Sequence, residues 1–195
     1  MLPIMMTDKT CSNKLLKDLN SIPSPIFYIF AAVAVFCALF VHGFTPQGYM
    51  TTIFLLLLVA CASADIKDGI VPDLILIFIA ILAVLNFFII EKWSMGGAID
   101  HLLGAIVISV PMLILALSIK KAFGGGDIKL MAAAGLYLGL RPVIAAAVLG
   151  MFLAGVYSFY IIIWGKKGRK ALIRLAPFLV YGLAIISLFM NDWLI

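Results

Sequence analysis

The sequence is poor in charged residues. Only 12% of its 195 residues are Asp, Glu, Lys or Arg, against about 25% in soluble proteins, whereas 65% are hydrophobic. This balance excludes a water-soluble globular protein and a disordered one. The mean hydropathy of +1.23 and repeated apolar runs near the ~20 residues that cross a bilayer core predict an all-α polytopic membrane protein.

Cysteine is scarce too. Cys11, Cys37 and Cys61 form no C-x-x-C pair, so the pattern predicts neither a disulfide framework nor a structural zinc site. The sequence also lacks the phosphate-binding motifs G-x-G-x-x-G and G-K-[ST]. We therefore expect no metal and no cofactor.

Long apolar runs predict a bundle of seven transmembrane helices. The run at 128–140 is short, and Arg141 and Pro142 join it to the next, so six helices plus a re-entrant segment is the alternative. Residues 1–25 are predicted to form a cytoplasmic lead-in, and 26–195 one membrane-embedded domain. The helices are expected at 26–44, 50–64, 73–90, 98–119, 128–140, 142–164 and 173–190.

The basic residues fall almost entirely on one side of this seven-helix arrangement. Twelve of the 14 Lys and Arg lie in the N-terminal tail and in the second, fourth and sixth connections, and only Lys92 and Arg141 lie on the other side. Because cytoplasmic loops are enriched in Lys and Arg, the N-terminus is predicted inside and the C-terminus outside. Topology thus accounts for the net charge of +5, and no nucleic-acid partner is expected.

Four of the nine acidic residues lie beside apolar runs on the predicted cytoplasmic side, namely Asp65, Asp68, Asp73 and Asp127. A carboxylate near a membrane span is retained mainly for function, because it costs about 2.5–3.5 kcal/mol at the bilayer centre. Gly69 permits a turn after the second run, Pro72 suits the start of the third helix, and Asp73 favours its positive end. Elsewhere, Asp100 is expected to cap the fourth helix.

Three consecutive glycines, Gly124, Gly125 and Gly126, precede Asp127. They allow close approach of another backbone or of a peptide. Asp65 and Asp127 on one membrane face suggest a carboxylate pair that shares a proton, in which one acid activates water and the other polarises a peptide carbonyl. The spacing alone equally allows a pair that binds a cation or relays protons in a small transporter.

The order and spacing of these motifs resemble the type IV prepilin peptidases, aspartyl proteases of the inner membrane. The pattern D-x-x-x-x-x-x-P-D runs from Asp65 to Asp73, and G-x-G-D-x-K follows it with Asp127 and Lys129. The resemblance implies a catalytic dyad of Asp65 and Asp127. It adds a supporting set of motif residues: Gly124, Gly125, Gly126, Lys129, Pro72 and Asp73.

The resemblance also implies a multi-pass protein of the cytoplasmic membrane in which 26–195 form the peptidase domain. Its substrates would be prepilin-like or pseudopilin proteins, cut at the cytoplasmic face between a basic leader and an apolar helix. Longer family members carry paired C-x-x-C zinc ligands and also N-methylate the product. Since such pairs are missing from this sequence, it is similar to the short, peptidase-only form of Flp-type or tight-adherence pilus systems, and no methyltransferase activity is expected.

Overall fold

The computed structural model describes residues 25–89, 95–119, 124–164 and 175–189. All seven predicted helices are confirmed within these ranges. The predicted lead-in 1–25, apart from Pro25, and most of the basic residues in the connections lie outside them. The helices are α1 Pro25–His42, α2 Pro46–Asp68, α3 Asp73–Ile89, α4 Met95–Ser118, α5 Gly125–Leu138, α6 Leu140–Trp164 and α7 Ala176–Phe189.

Helices α2, α4 and α6 each contain a stretch long and apolar enough to cross a membrane. The 24 residues of α4 extend over about 36 Å at 1.5 Å per residue, which exceeds a hydrocarbon core of about 30 Å. Large apolar side chains point outward, as with Phe40 at 81% and Phe152 at 66% exposure. Because such surface is unfavourable in water, the fold is a helical membrane bundle, and the total number of spans stays a prediction.

The shortest internal helix, α5, lies in the middle of the bundle. It packs against α3, α4, α6 and α7, and more than half of its residues are buried. One face is only partly buried or exposed, and it carries Ile128, Lys129, Ala132 and Leu136. Its 14 residues extend only about 21 Å. Helix α4 approaches it most closely where two glycines meet, since a Cβ on Gly104 would lie 2.7 Å from the carbonyl oxygen of Gly135.

Helices α2 and α7 complete the core around α5. Helix α2 packs against α1, α3 and α7, and Phe54 of α2 stacks on Tyr137 of α5 with ring centroids 4.1 Å apart. The side chain of Thr51 shares a hydrogen bond with the Tyr137 hydroxyl. These contacts tie the N-terminal half of α2 to the C-terminal half of α5. The largest fully buried side chains are Phe54, Leu55, Leu58, Ile79, Leu130, Met131, Leu179 and Leu183.

The break between the fifth and sixth helices was predicted at the wrong place. It falls at Gly139, whose φ of 82° suits glycine and whose N–H donates to the carbonyl of Gly135 at 2.9 Å. Arg141 and Pro142 lie inside the first turn of α6, where proline is tolerated because its missing N–H would have no helical partner.

The role predicted for Asp100 was also wrong. Helix α4 begins at Met95, three residues earlier than expected, so Asp100 lies in its second turn and not at its cap. Its Oδ2 instead accepts a hydrogen bond from the backbone N–H of Leu140 at 3.0 Å. Because first-turn N–H groups have no partner within their own helix, this carboxylate caps α6.

We expect Gly135→Ala to lower the melting temperature of the purified protein in detergent. An added methyl group would overlap the backbone of Gly104, and overpacking costs about 1–3 kcal/mol. The matched control is Gly155→Ala in α6, where a Cβ meets no atom within 4 Å. It should be neutral or slightly stabilising, by about 0.5–1 kcal/mol. Equal melting temperatures for the two variants would contradict the close α4–α5 contact.

Candidate active site

Asp65 lies in the last turn of α2. The helix runs on to Asp68 and ends at Gly69, whose φ of 69° is left-handed and whose N–H donates to the backbone carbonyl of Asp65. The sequence placed Asp65 directly after its helix, and the structure corrects this by one turn, because residues 65–68, three of which are charged, still belong to the helix. Its side chain is buried, with 7% exposed.

Asp127 lies in the first turn of α5 and is also 7% exposed. Gly124 is the N-cap residue of this helix, and its carbonyl accepts the N–H of Asp127 at 3.1 Å. The carboxyl group of Asp127 in turn accepts a hydrogen bond from the backbone N–H of Gly124. This is the return half of a capping box, and the positive end of the helix favours an acid there.

The two carboxylates share one cavity of about 400 Å³. It lies where the end of α2, the turn before α3 and the start of α5 meet. All eight site residues predicted from the sequence line it, so the structure brings together two motifs that are 62 residues apart. The lining consists of Asp65, Gly69, Ile70, Val71, Pro72, Asp73, Gly124, Gly125, Gly126, Asp127 and Lys129.

Asp127 precedes the segment 128–140 that the sequence assigns to the membrane, and it faces this cavity. Burial, and secondly the charge of Asp65, raise the pKa of Asp127 to about 6, while the hydrogen bond from Gly124 acts in the opposite direction. Asp65 and Asp127 are therefore close enough to repel each other. Two such acids bind a proton more readily than an isolated aspartate, and they bind it as a pair.

Two of the three glycines allow close contacts around Asp127. A Cβ on Gly126 would lie 2.9 Å from the Cβ of Val71, and one on Gly124 would lie 3.2 Å from Oδ2 of Asp127. Glycine at 126 lets α5 pack against the turn before α3. Glycine at 124 leaves room for the Asp127 carboxyl group to turn back toward the Gly124 N–H. At Gly126 the close approach is thus made by the side chain of Val71, whereas the backbone nitrogen of Val71 would lie 3.5 Å from a Cβ.

An ion pair at the cavity rim was not predicted, although both partners were singled out. Nζ of Lys129 donates to Oδ1 of Asp73 at 2.7 Å, which joins the start of α3 to the first turn of α5. The two side chains are 60% and 50% exposed, so the pair contributes no more than about 1 kcal/mol. The sequence indicated this pair only by placing one acidic and one basic residue near the starts of two predicted helices.

Gly69, Ile70 and Val71 line the cavity but were not predicted as site residues. The available signal was their position in the short turn between the acidic residues Asp68 and Asp73. Among the described residues no cluster of three or more His, Cys, Asp or Glu is placed to hold a metal ion. The chemistry that this arrangement offers is proton transfer between two carboxyl groups and a water molecule or substrate in the cavity.

Comparison with known proteins places this arrangement in a family. The sequence profile of the type IV leader peptidase family matches residues 52–159. A curated protein from Bacillus subtilis (strain 168), named prepilin leader peptidase/N-methyltransferase, is 27% identical over 159 residues, which cover 76% of this chain and 62% of that protein. The chain thus matches less than two thirds of the relative's length. No solved structure matches the chain.

The profile match covers more than half of the chain and includes the whole cavity lining. Both carboxylates, the three glycines and the ion pair at the rim fall inside it. The chain belongs to the type IV leader peptidase family.

Proposed function

We propose that this protein is a membrane aspartyl endopeptidase that removes the leader of prepilin-like proteins, with Asp65 and Asp127 as its catalytic pair. The observation that carries the proposal is that two buried carboxylates, one from α2 and one from α5, line the same open cavity. The name of the Bacillus subtilis relative supports prepilins as the substrate class.

The reaction requires one proton shared between the two acids. The ionised carboxylate takes a proton from water, whose oxygen attacks the carbonyl carbon of the scissile peptide, while the protonated carboxyl group donates to the carbonyl oxygen. The tetrahedral intermediate then collapses, the C–N bond breaks and the leaving nitrogen takes up a proton. No covalent intermediate with the protein forms.

The raised pKa of Asp127 suits it to carry the shared proton at the start. Near pH 7 an ordinary aspartate is almost fully ionised, whereas a pKa of about 6 leaves roughly a tenth of the Asp127 carboxyl groups protonated. Asp65 then acts as the base that activates water. Since the two titrate as a pair, this division of roles belongs to the first step only.

We place the cavity at the cytoplasmic face of the inner membrane. The argument is the distribution of Lys and Arg, twelve of which lie on the side of the Asp65 and Asp127 ends of their helices. A leader that precedes an apolar helix would meet the cavity at the membrane edge. The partners are then the lipid bilayer and a prepilin or pseudopilin with a basic leader.

The transporter alternative uses the same two aspartates to bind a cation or relay protons. It would need access to the pair from both sides of the membrane. The cavity opens beside the half-exposed Asp73 and Lys129, at one end of the bundle. This geometry favours the peptidase, and the cleavage assay below separates the two functions.

Asp65→Asn and Asp127→Asn should each reduce leader cleavage by about 10²- to 10⁴-fold, because either change removes one of the two proton-transfer groups. The double variant should be no worse than the single ones, since the pair acts as a unit. Cleavage of a co-expressed prepilin is followed by its mobility shift. Mass spectrometry of the product locates the cut bond, and we expect its new N-terminus to be unmethylated.

Two further variants on the same turn serve as controls. Asp68→Asn should cleave almost normally. Asp73→Asn should be intermediate, since it weakens the start of α3 by about 0.3–1 kcal/mol and removes the ion pair with Lys129. Membrane levels of every variant are measured in parallel. Robust cleavage by Asp65→Asn or Asp127→Asn would refute the dyad and favour the transporter.

Asp127→Asn should also stabilise the fold at alkaline pH. The pKa of Asp127 is raised to about 6 in the folded protein but is near 3.9 when unfolded, so its charge opposes folding above about pH 6. The asparagine keeps an acceptor for the Gly124 N–H and removes that charge. The gain in melting temperature should be full at about pH 8, shrink as the pH falls through about 6 and vanish below about 4.

The control for this measurement is Asp73→Asn, which removes the same charge from a half-exposed site. It should show no stabilisation at about pH 8, because solvent already screens that carboxylate. Identical pH profiles for the two variants would mean that neither burial nor the charge of Asp65 raises the pKa of Asp127.

Reporter fusions test the orientation. Fusions after Gly43 or Ile195 should report the outside, and fusions at Gly69 or Lys167 should report the cytoplasm, because loops rich in Lys and Arg stay inside. A cytoplasmic signal after Ile195 would exclude seven spans. An outside signal at Gly69 would place the cavity on the wrong face for a cytoplasmic leader.

A further inference from the structure

The middle glycine of the three before Asp127 has no structural requirement within the fold. Gly124 and Gly126 are explained by the contacts of a Cβ with Asp127 and Val71. At Gly125 a Cβ would have no heavy atom of the described residues within 4 Å. Contacts within the described part of the fold therefore do not require glycine at this position.

Backbone conformation does not call for glycine there either. Gly125 begins α5, and the positive-φ glycines of the described residues are Gly43, Gly69 and Gly139. Glycine within a helix is entropically unfavourable relative to alanine. The G-x-G-D pattern also leaves the position of Gly125 unspecified.

Gly125 is nevertheless part of the cavity wall beside both carboxylates. It is exposed and stands two residues before Asp127, so a side chain in its open space would take up part of the about 400 Å³. A peptide bond attacked at the dyad must lie within hydrogen-bond reach of the Asp127 carboxyl group. In the proposed reaction, the residue at 125 would therefore lie next to the substrate residues that flank the scissile bond.

We propose that Gly125 is a specificity-determining residue, which keeps open a subsite for the substrate side chain beside the scissile peptide. The absence of a side chain at 125 sets the largest substrate residue that the subsite admits. This inference rests on the proposed peptidase function, which it deepens by naming a determinant of substrate choice.

The test is a matrix of enzyme and substrate variants. Gly125→Ala, Gly125→Val and Gly125→Leu are purified and assayed on a prepilin that the wild type cleaves. The two residues that flank its scissile bond are replaced in turn by Gly, Ala, Val and Leu. Values of kcat and KM are measured by mass spectrometry of the products, and melting temperatures in the same detergent.

We expect a larger side chain at position 125 to reduce cleavage most for substrates that also carry a large residue at one of the two flanking positions. Gly125→Leu should lose roughly 10- to 200-fold in kcat/KM on substrates with Val or Leu at that position, the range by which a pocket rejects excess methylenes. Substrates with Gly or Ala there should be least affected. Gly125→Ala should show the same order with smaller losses.

Gly155→Leu is the matched control, because a Cβ at Gly155 also meets no atom within 4 Å but the residue does not line the cavity. It should keep the wild-type order of substrates. If the Gly125 variants retain that order, or lose all substrates equally while remaining folded, the subsite is refuted and the dyad still stands. If the wild type cleaves no prepilin, the proposed peptidase function itself fails.

Discussion

The burial of α5 among four other helices is the constraint on which the rest of the structure depends. A helix of 14 residues in the middle of a bundle must meet several neighbours at close range. Small residues make this possible, with Gly135 against Gly104 and Gly126 against Val71. Because these contacts fix α5 against its neighbours, the acid in its first turn has a defined position relative to the end of α2.

That position is electrostatically unfavourable for the carboxylate of Asp127. Burial and the charge of Asp65 raise the pKa of Asp127, so the fold tolerates a pair of acids that would be more stable as one acid and one amide. Such a conflict between stability and local charge is typical of functional sites. The stack of Phe54 on Tyr137 joins the N-terminal half of α2 to the C-terminal half of α5. It therefore opposes a separation of the two helices that would reduce the repulsion between Asp65 and Asp127.

The match to the type IV leader peptidase family covers residues 52–159, and the bundle extends beyond it. Helix α7 lies outside the match and yet packs against both α2 and α6, with Leu179 and Leu183 fully buried. A Cβ on Gly182 of α7 would lie 2.8 Å from the backbone nitrogen of Gly150 in α6. This contact is as close as the glycine contact between α4 and α5. Helix α1 also lies outside the match and packs against α2, so two of the helices that support α2 are not included in the family match.

The sequence by itself determined the class of protein, the seven helices and the two acidic motifs, because apolar run length, glycine and charge position act locally or through the membrane. It could not place Asp100 on the N-terminus of α6, pair Lys129 with Asp73, or move the helix break to Gly139. Each of these depends on which helices become neighbours, and that follows from packing among many side chains at once. The openness of Gly125 is of the same kind, since only the assembled bundle leaves that position without a neighbour.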